Sequence, residues 1–301
     1  MQVGGVGGVG GVIDPEPGQA ELGREIVCGR HPIKGRGIFV SSFLAEPQLL
    51  AAVSPTLLPT RGSAYWQFYD AVAAAKLAAW WPTAPARVLD LSGVSSPHAA
   101  QLAAAGHQVV QVRAQLPRPE EPAVPGVQRL VADCLDFGWI QDASIDAILV
   151  ESQALSLCLA TEITAEQLAR ALRPGGRLLL VVDSLLLGLA RLADQGRWAE
   201  LADVPAADCV LVADNEGTIT RCFGPQELRA LLIEAGLTVD WVRPRSVVSV
   251  SAAERAFTSD GPGALAALVR TELTLAQEHE GESTGLHLVA SARRPASAAE
   301  G

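Results

Sequence analysis

The sequence predicts an α/β fold, doubly wound around a mostly parallel sheet of seven strands. Three observations predict it. Strand-like and helix-like segments alternate from residue 86 to residue 184, the pattern of a parallel sheet with helices on both faces. Two strand segments, 145–150 and 178–182, are almost wholly apolar, as befits central strands buried on both faces. The stretch RVLDLSGVSSPHAAQLAAAGHQVVQVRAQ (87–115) runs from strand through turn and helix to a second strand, the frame of a nucleotide-binding βαβ unit.

Taken in order, the chain opens on GGVGGVGGV (4–12), which contains a literal G-x-G-x-x-G at Gly5, Gly7 and Gly10. A phosphate-holding version needs a strand before it and a helix after it. Only MQV precedes it here, and Pro15 and Pro17 oppose an immediate helix, so residues 1–18 read as a flexible, disordered tail. Residues 19–62 form an N-terminal extension with a short helix ending near Pro55. Residues 63–295 form the main domain. SAYWQFYDAVAAAKLAAWW (63–81) predicts a helix with Ser63 as N-cap and Pro82 as its stop. Strand 86–92, helix 97–106 closed by Gly106, and strand 107–113 follow. VQRLVAD, ending at residue 133, supplies a third strand and 143–152 a fourth. A helix over 164–176, with Thr164 as N-cap and the glycine pair as its stop, leads to a fifth strand at 177–184. An insertion, 185–222, reads as helix and then a hairpin turning near Asn215–Gly217. Helix 224–236, opened by Pro225 and closed by Gly236, precedes a strand at 237–249. A single helix over about 252–277 and a last strand at 284–295 complete the domain, and 296–301 is a second disordered tail.

Composition narrows the function classes. With 49% apolar but only 5% aromatic residues, the core must be built from Ala, Leu and Val. A net charge of −10 argues against nucleic acid backbones and anionic membranes as partners, since both select basic surfaces. The five cysteines are dispersed with no C-x-x-C spacing, which points to neither a metal site nor a disulfide framework and fits a reducing cytoplasm. The longest apolar run, LLLVVDSLLLGLA (178–190), is too short to span a bilayer and carries Asp183. No secretion signal is seen at the N-terminus.

The order of these segments resembles the class I S-adenosylmethionine-dependent methyltransferase family over roughly residues 63–295. The resemblance is carried by RVLDLSG at the first strand, GHQVVQV at the second, VADCLDFGWIQDASIDAILVESQAL through the third and fourth, ALRPGGRLLLV at the fifth, and GPQELRALLIEAGLTVDWV with GLHLVASARRP at the end. It implies a Rossmann-like sheet closed by a C-terminal β-hairpin pair and an S-adenosylmethionine cofactor; the methyl acceptor is unidentified, with a small molecule expected and a protein or peptide as the other option. Another doubly wound fold, such as a nicotinamide-binding domain, is the alternative that the segment order alone leaves open.

The resemblance also assigns site residues. The cofactor lies across the C-terminal ends of the first strands, at the topological switch point. In the family the first turn reads Asp/Glu-x-Gly-x-Gly-x-Gly. Here Asp90 is present, Ser92, Val94 and Ser96 hold the glycine positions, and Gly93 is displaced by one. Val94 departs most, because a β-branched residue does not take positive φ cheaply. Arg113 stands where the family places an acidic ribose acceptor, and Arg offers only donors. It reads equally as a solvated strand-end residue. Asp133 and Cys134 fall at the adenine position. The cofactor set is therefore Asp90, Ser92, Gly93, Asp133, Cys134 and Tyr65. Tyr65 joins Trp66 and Tyr69 as a wall over the cofactor, or as helix–sheet packing.

Methyl transfer from a sulfonium depends mostly on positioning, so no general base need stand out. Glu151 and His98 are catalytic candidates, with Ser152, Gln153 and Asp183 near the ends of strands four and five. His31 and Arg61 are candidate lid residues, and Trp198, Asp214 and Arg221 of the insertion are candidates to face a substrate. The worn turn and Arg113 also support a second reading, a fold-only relative that has lost cofactor binding and serves as a partner or regulatory subunit.

Overall fold

The structure, a computed structural model, describes residues 62–92, 98–113, 123–132, 137–151, 153–213, 217–259 and 262–296. The glycine repeat, the extension before residue 62, the expected N-terminal tail, the expected C-terminal tail after Ala296, and His31, Arg61, Gly93, Val94, Ser96, Asp133, Cys134, Ser152 and Asp214 lie outside the described residues.

In chain order the elements are α1 (Ala64–Trp80), β1 (Arg87–Asp90), α2 (His98–Ala104), β2 (Gln108–Arg113), β3 (Val127–Val131), β4 (Ile145–Val150), α3 (Thr161–Ala171) and β5 (Leu172–Asp183). Then come α4 (Leu185–Asp194), α5 (Trp198–Leu201), β6 (Cys209–Ala213), β7 (Ile219–Phe223), α6 (Pro225–Glu234), β8 (Thr238–Arg245), α7 (Val250–Ser259), α8 (Pro262–Glu278) and β9 (His287–Arg293). Seven strands form one sheet in the order β3-β2-β1-β4-β5-β9-β8, while β6 and β7 pair separately as the hairpin of the insertion. The first five strands of that order run parallel, and β9 is antiparallel to both its neighbours. The closing antiparallel pair β8–β9 is joined through α7 and α8 rather than by a tight turn.

Alternation along the strands sorts the core into two layers. Leu89, Ile148, Leu178 and Leu180 meet Leu168 of α3 and Leu228 and Leu232 of α6 on one face. Val88, Leu149, Leu179 and Val181 meet Leu77 and Trp80 of α1 and Leu102 of α2 on the other. Leu178 through Val182 are fully buried, so both faces of β5 are core, each large side chain contributing roughly 1.5–3 kcal/mol of burial.

Four boundaries differ from the sequence expectation. Ser63 is the N-cap by backbone position, but its side chain makes no capping hydrogen bond. Helix α3 runs Thr161–Ala171, not 164–176: Thr164 is one turn inside it, with its hydroxyl on Cys158 Sγ at 3.1 Å. It ends early because Pro174 disfavours helical backbone at the residue before it. The Arg-Pro-Gly-Gly segment instead belongs to β5, with Gly175 at φ +79°, a conformation that needs glycine. The helix expected over 252–277 is two helices, the second opening on Pro262 at its first position.

Candidate functional site

The strand order reverses between β1 and β4, and the C-terminal ends of the strands make one rim there. Six strands place an ionisable residue on that rim: Arg113 ends β2, Asp90 ends β1, Glu151 follows β4, Asp183 ends β5, His287 begins antiparallel β9 and Arg245 ends β8. All six are buried. Withdrawing so many ionisable groups from water costs stability unless each is paired, so such a file marks a site rather than a core.

The groups are joined by hydrogen bonds. Ser92 N–H donates to Asp90 Oδ1 at 2.9 Å, and the Ser92 hydroxyl accepts from Glu151 N–H at 3.3 Å. Arg245 Nη1 donates to Glu151 Oε2 at 2.6 Å and Nη2 to the Tyr69 carbonyl at 3.1 Å, while the guanidinium stacks 3.8 Å from the Tyr69 ring centre. Gln153 Nε2 donates to Tyr69 Oη at 3.2 Å and to the Glu151 carbonyl at 3.4 Å. Two non-glycine residues flanking this cluster have left-handed backbone, Gln153 at φ +54° and Ser246 at φ +63°. Strain of this kind persists where surrounding bonds over-determine the conformation. Next along the rim, Asp183 Oδ2 accepts from Arg191 Nη1 at 2.7 Å, and His287 Nε2 lies 3.8 Å from Asp183 Oδ1.

Burial pushes the Asp90 and Asp183 carboxyls up from the usual aspartate value. The Ser92 bonds only partly offset this for Asp90, and Arg191 only partly for Asp183. Burial works against the charge of Arg245, but Glu151 and Tyr69 outweigh it and keep the guanidinium protonated. Asp90 Oδ2 is buried and has no hydrogen-bond partner among the described residues.

The structure thus brings Asp90, Ser92 and Glu151 together. His98 is buried at the start of α2, with Nδ1 3.5 Å from Gln101 Oε1. Tyr65, Trp66 and Tyr69 are all buried; Tyr65 Oη shares a 2.7 Å hydrogen bond with Ser246 Oγ, and the three pack as a cluster against α7 and α8. Two expectations need correction. Arg113 is 4% exposed and is no solvated strand end. Arg221 does not face a substrate: it is 1% exposed and bonded to Thr161, Glu162 and Glu227, fixing β7 to α3 and α6. Trp198, by contrast, is 65% exposed. Sequence reasoning missed Arg245 and His287. The signal available was a charged residue terminating an otherwise apolar or alternating strand on the rim side.

A cavity of about 650 Å³ also opens at the opposite edge of the sheet, lined by residues including Arg87, Leu89, Val110, Trp139 and Ile140. Among the described residues its lining has one ionisable side chain, Arg87, and none of the rim residues. Among the described residues no group of three or more His, Cys, Asp or Glu is placed to hold a metal ion, and no helix is long and apolar enough to cross a membrane.

No family model matches the chain, and no curated protein matches it. Solved structures do. A Listeria monocytogenes protein classed as an S-adenosylmethionine-dependent methyltransferase superposes with a TM-score of 0.51 at 12% identity, over 74% of this chain and 98% of that one. A Mesorhizobium loti S-adenosylmethionine-dependent methyltransferase gives 0.48 at 15% identity, over 77% and 99%. The Burkholderia thailandensis 1,6-didemethyltoxoflavin N1-methyltransferase, solved with 1,6-didemethyltoxoflavin and S-adenosylhomocysteine, gives 0.45 at 20% identity, over 78% and 80%. At these identities the likeness is one of fold. The chain has the class I methyltransferase fold, with its strand order and its antiparallel last strand.

Proposed function

We propose that the protein is an S-adenosylmethionine-dependent methyltransferase whose acceptor is a small molecule. The observation that carries this is Asp90: a buried carboxylate at the switch point, with one oxygen fixed by Ser92 N–H and the other without a hydrogen-bond partner among the described residues. An unsatisfied buried acceptor there fits a ligand bearing donors, and S-adenosylmethionine carries an ammonium and two ribose hydroxyls. Asp90 and Ser92 would hold the cofactor, with Gly93, Asp133 and Cys134 as the family-based additions. Bound there, S-adenosylmethionine would supply a methyl group activated by its positive sulfur. The chain's own contribution is positioning and exclusion of water. Glu151 is committed to Arg245, which makes it a fixed part of the wall rather than a base.

Arg113 favours a second reading. A buried guanidinium where the ribose acceptor is expected fits a relative that kept the fold and lost the cofactor. Calorimetric titration with S-adenosylmethionine and S-adenosylhomocysteine decides between them. The methyltransferase reading expects micromolar affinity, about −8 kcal/mol. Folded protein giving no heat with either ligand up to millimolar concentration would overturn it in favour of a partner subunit.

A further inference from the structure

We infer that Arg245 is a positioning residue for the cofactor turn, acting across the rim through Glu151 and Ser92. The inference deepens the cofactor reading above and rests on it only for the ligand. The guanidinium is held on three sides, by Glu151, by the Tyr69 carbonyl and by the Tyr69 ring. Its one firm grip on the rest of the rim is the Glu151 carboxylate, and both side chains are almost fully buried. Glu151 in turn places its backbone N–H on the Ser92 hydroxyl, and Ser92 N–H is the donor that fixes Asp90. A continuous chain of bonds therefore runs from the end of β8, at one edge of the sheet, to the end of β1. Strands β9, β5 and β4 lie between those two ends.

Stability does not explain this pair. A buried ion pair is commonly replaceable by apolar residues of similar volume without loss of stability. What apolar residues do not reproduce is direction. The Arg fork and the Glu carboxylate fix the peptide after β4 at one height, and the left-handed backbone at Gln153 and Ser246 shows how tightly both ends of the pair are constrained.

The test uses the full chain. Arg245→Lys keeps the charge but loses the fork and the stack, and Glu151→Met/Arg245→Met removes the pair without leaving a lone charge. Amide hydrogen exchange at Ser92, in protein without ligand, reads the coupling directly. A remote core variant, Leu168→Ala, controls for general loss of stability. The expected result is about tenfold faster exchange at Ser92 in both rim variants, beyond that in the control, and a roughly tenfold weaker S-adenosylhomocysteine affinity. For the double variant this comes with an unchanged or higher Tm, which a merely structural role would not give. Unchanged exchange at Ser92 overturns the inference whatever the ligand does. Faster exchange in a protein that never binds S-adenosylhomocysteine upholds the coupling and sinks the cofactor reading instead.

Discussion

Asp90 shows how a single side chain can carry a functional reading. Its free oxygen is expected to meet a ligand donor, and hydrogen bonds to a charged group contribute about 1.5–3 kcal/mol. Asp90→Ala is therefore expected to weaken S-adenosylhomocysteine binding tenfold or more in a calorimetric titration. Because burial raises the Asp90 carboxyl, the same affinity in wild type should begin to fall at a higher pH than a free aspartate's value of about 3.9 would give. Lys76 offers a test of what burial does to a charge. Its Nζ has no hydrogen-bond partner among the described residues, rests 5.4 Å from the Trp241 ring centre, and is pulled down to about 8, chiefly by burial. A lysine whose pKa falls on folding destabilises the native state while it is charged, and the penalty fades as pH rises from about 8 toward the unfolded value of about 10.4. Lys76→Met should raise Tm at pH 7, with the gain shrinking as thermal melts are repeated toward pH 10. Ala143, exposed and at φ +49°, makes a third case: Ala143→Gly should stabilise by about 0.5–1 kcal/mol in denaturant unfolding, since glycine takes that backbone without strain.

Elements are held to one another by a few close approaches. Gly285, just before β9, lies against the backbone of Arg245; a Cβ there would stand 2.8 Å from Arg245 N, where nothing flexible can yield. Gly285→Ala should push the end of β8 off the rim, lowering Tm by many degrees and weakening ligand binding with it. The insertion is docked just as firmly. Arg221 ties β7 to α3 through Glu162 and to α6 through Glu227, so the hairpin is a fixed wall. Arg221→Met leaves two carboxylates without their cation and should cost about 3 kcal/mol in chemical unfolding.

At the scale of the molecule, the alternation of strand and helix was legible because periodicity reports which faces are buried, and RVLD, IDAILV and RLLLVVD fall where the sheet needs them. Local punctuation was legible only where read: Pro262, which opens the second C-terminal helix, stands in plain view in the sequence. The site was half legible. Asp90, Ser92 and Glu151 follow from the family-like turn and the end of β4, but Arg245 and His287 come from the last strands. Their meeting with Glu151 and Asp183 is a product of strand order, which no local pattern encodes. Arg113 as a solvated strand end and Arg221 as a substrate-facing side chain were misjudged for the opposite reason: only the finished packing shows a cation enclosed.

Helix α1 has a consequence for anyone seeking ligands. It is a rod about 25 Å long. Tyr69, near its beginning, touches Arg245 and His287 on the rim, and Trp80, its last residue, donates to Ser291 Oγ toward the far edge of the sheet. There Trp80 and Trp81 face each other edge to face, 5.7 Å apart. Two indoles so close share their electronic excitation, and the resulting circular-dichroism couplet changes with the angle between them. A compound that shifts α1 where Tyr69 meets the rim is expected to turn Trp80 against Trp81, and a change in that couplet on its addition would report binding without label or known reaction.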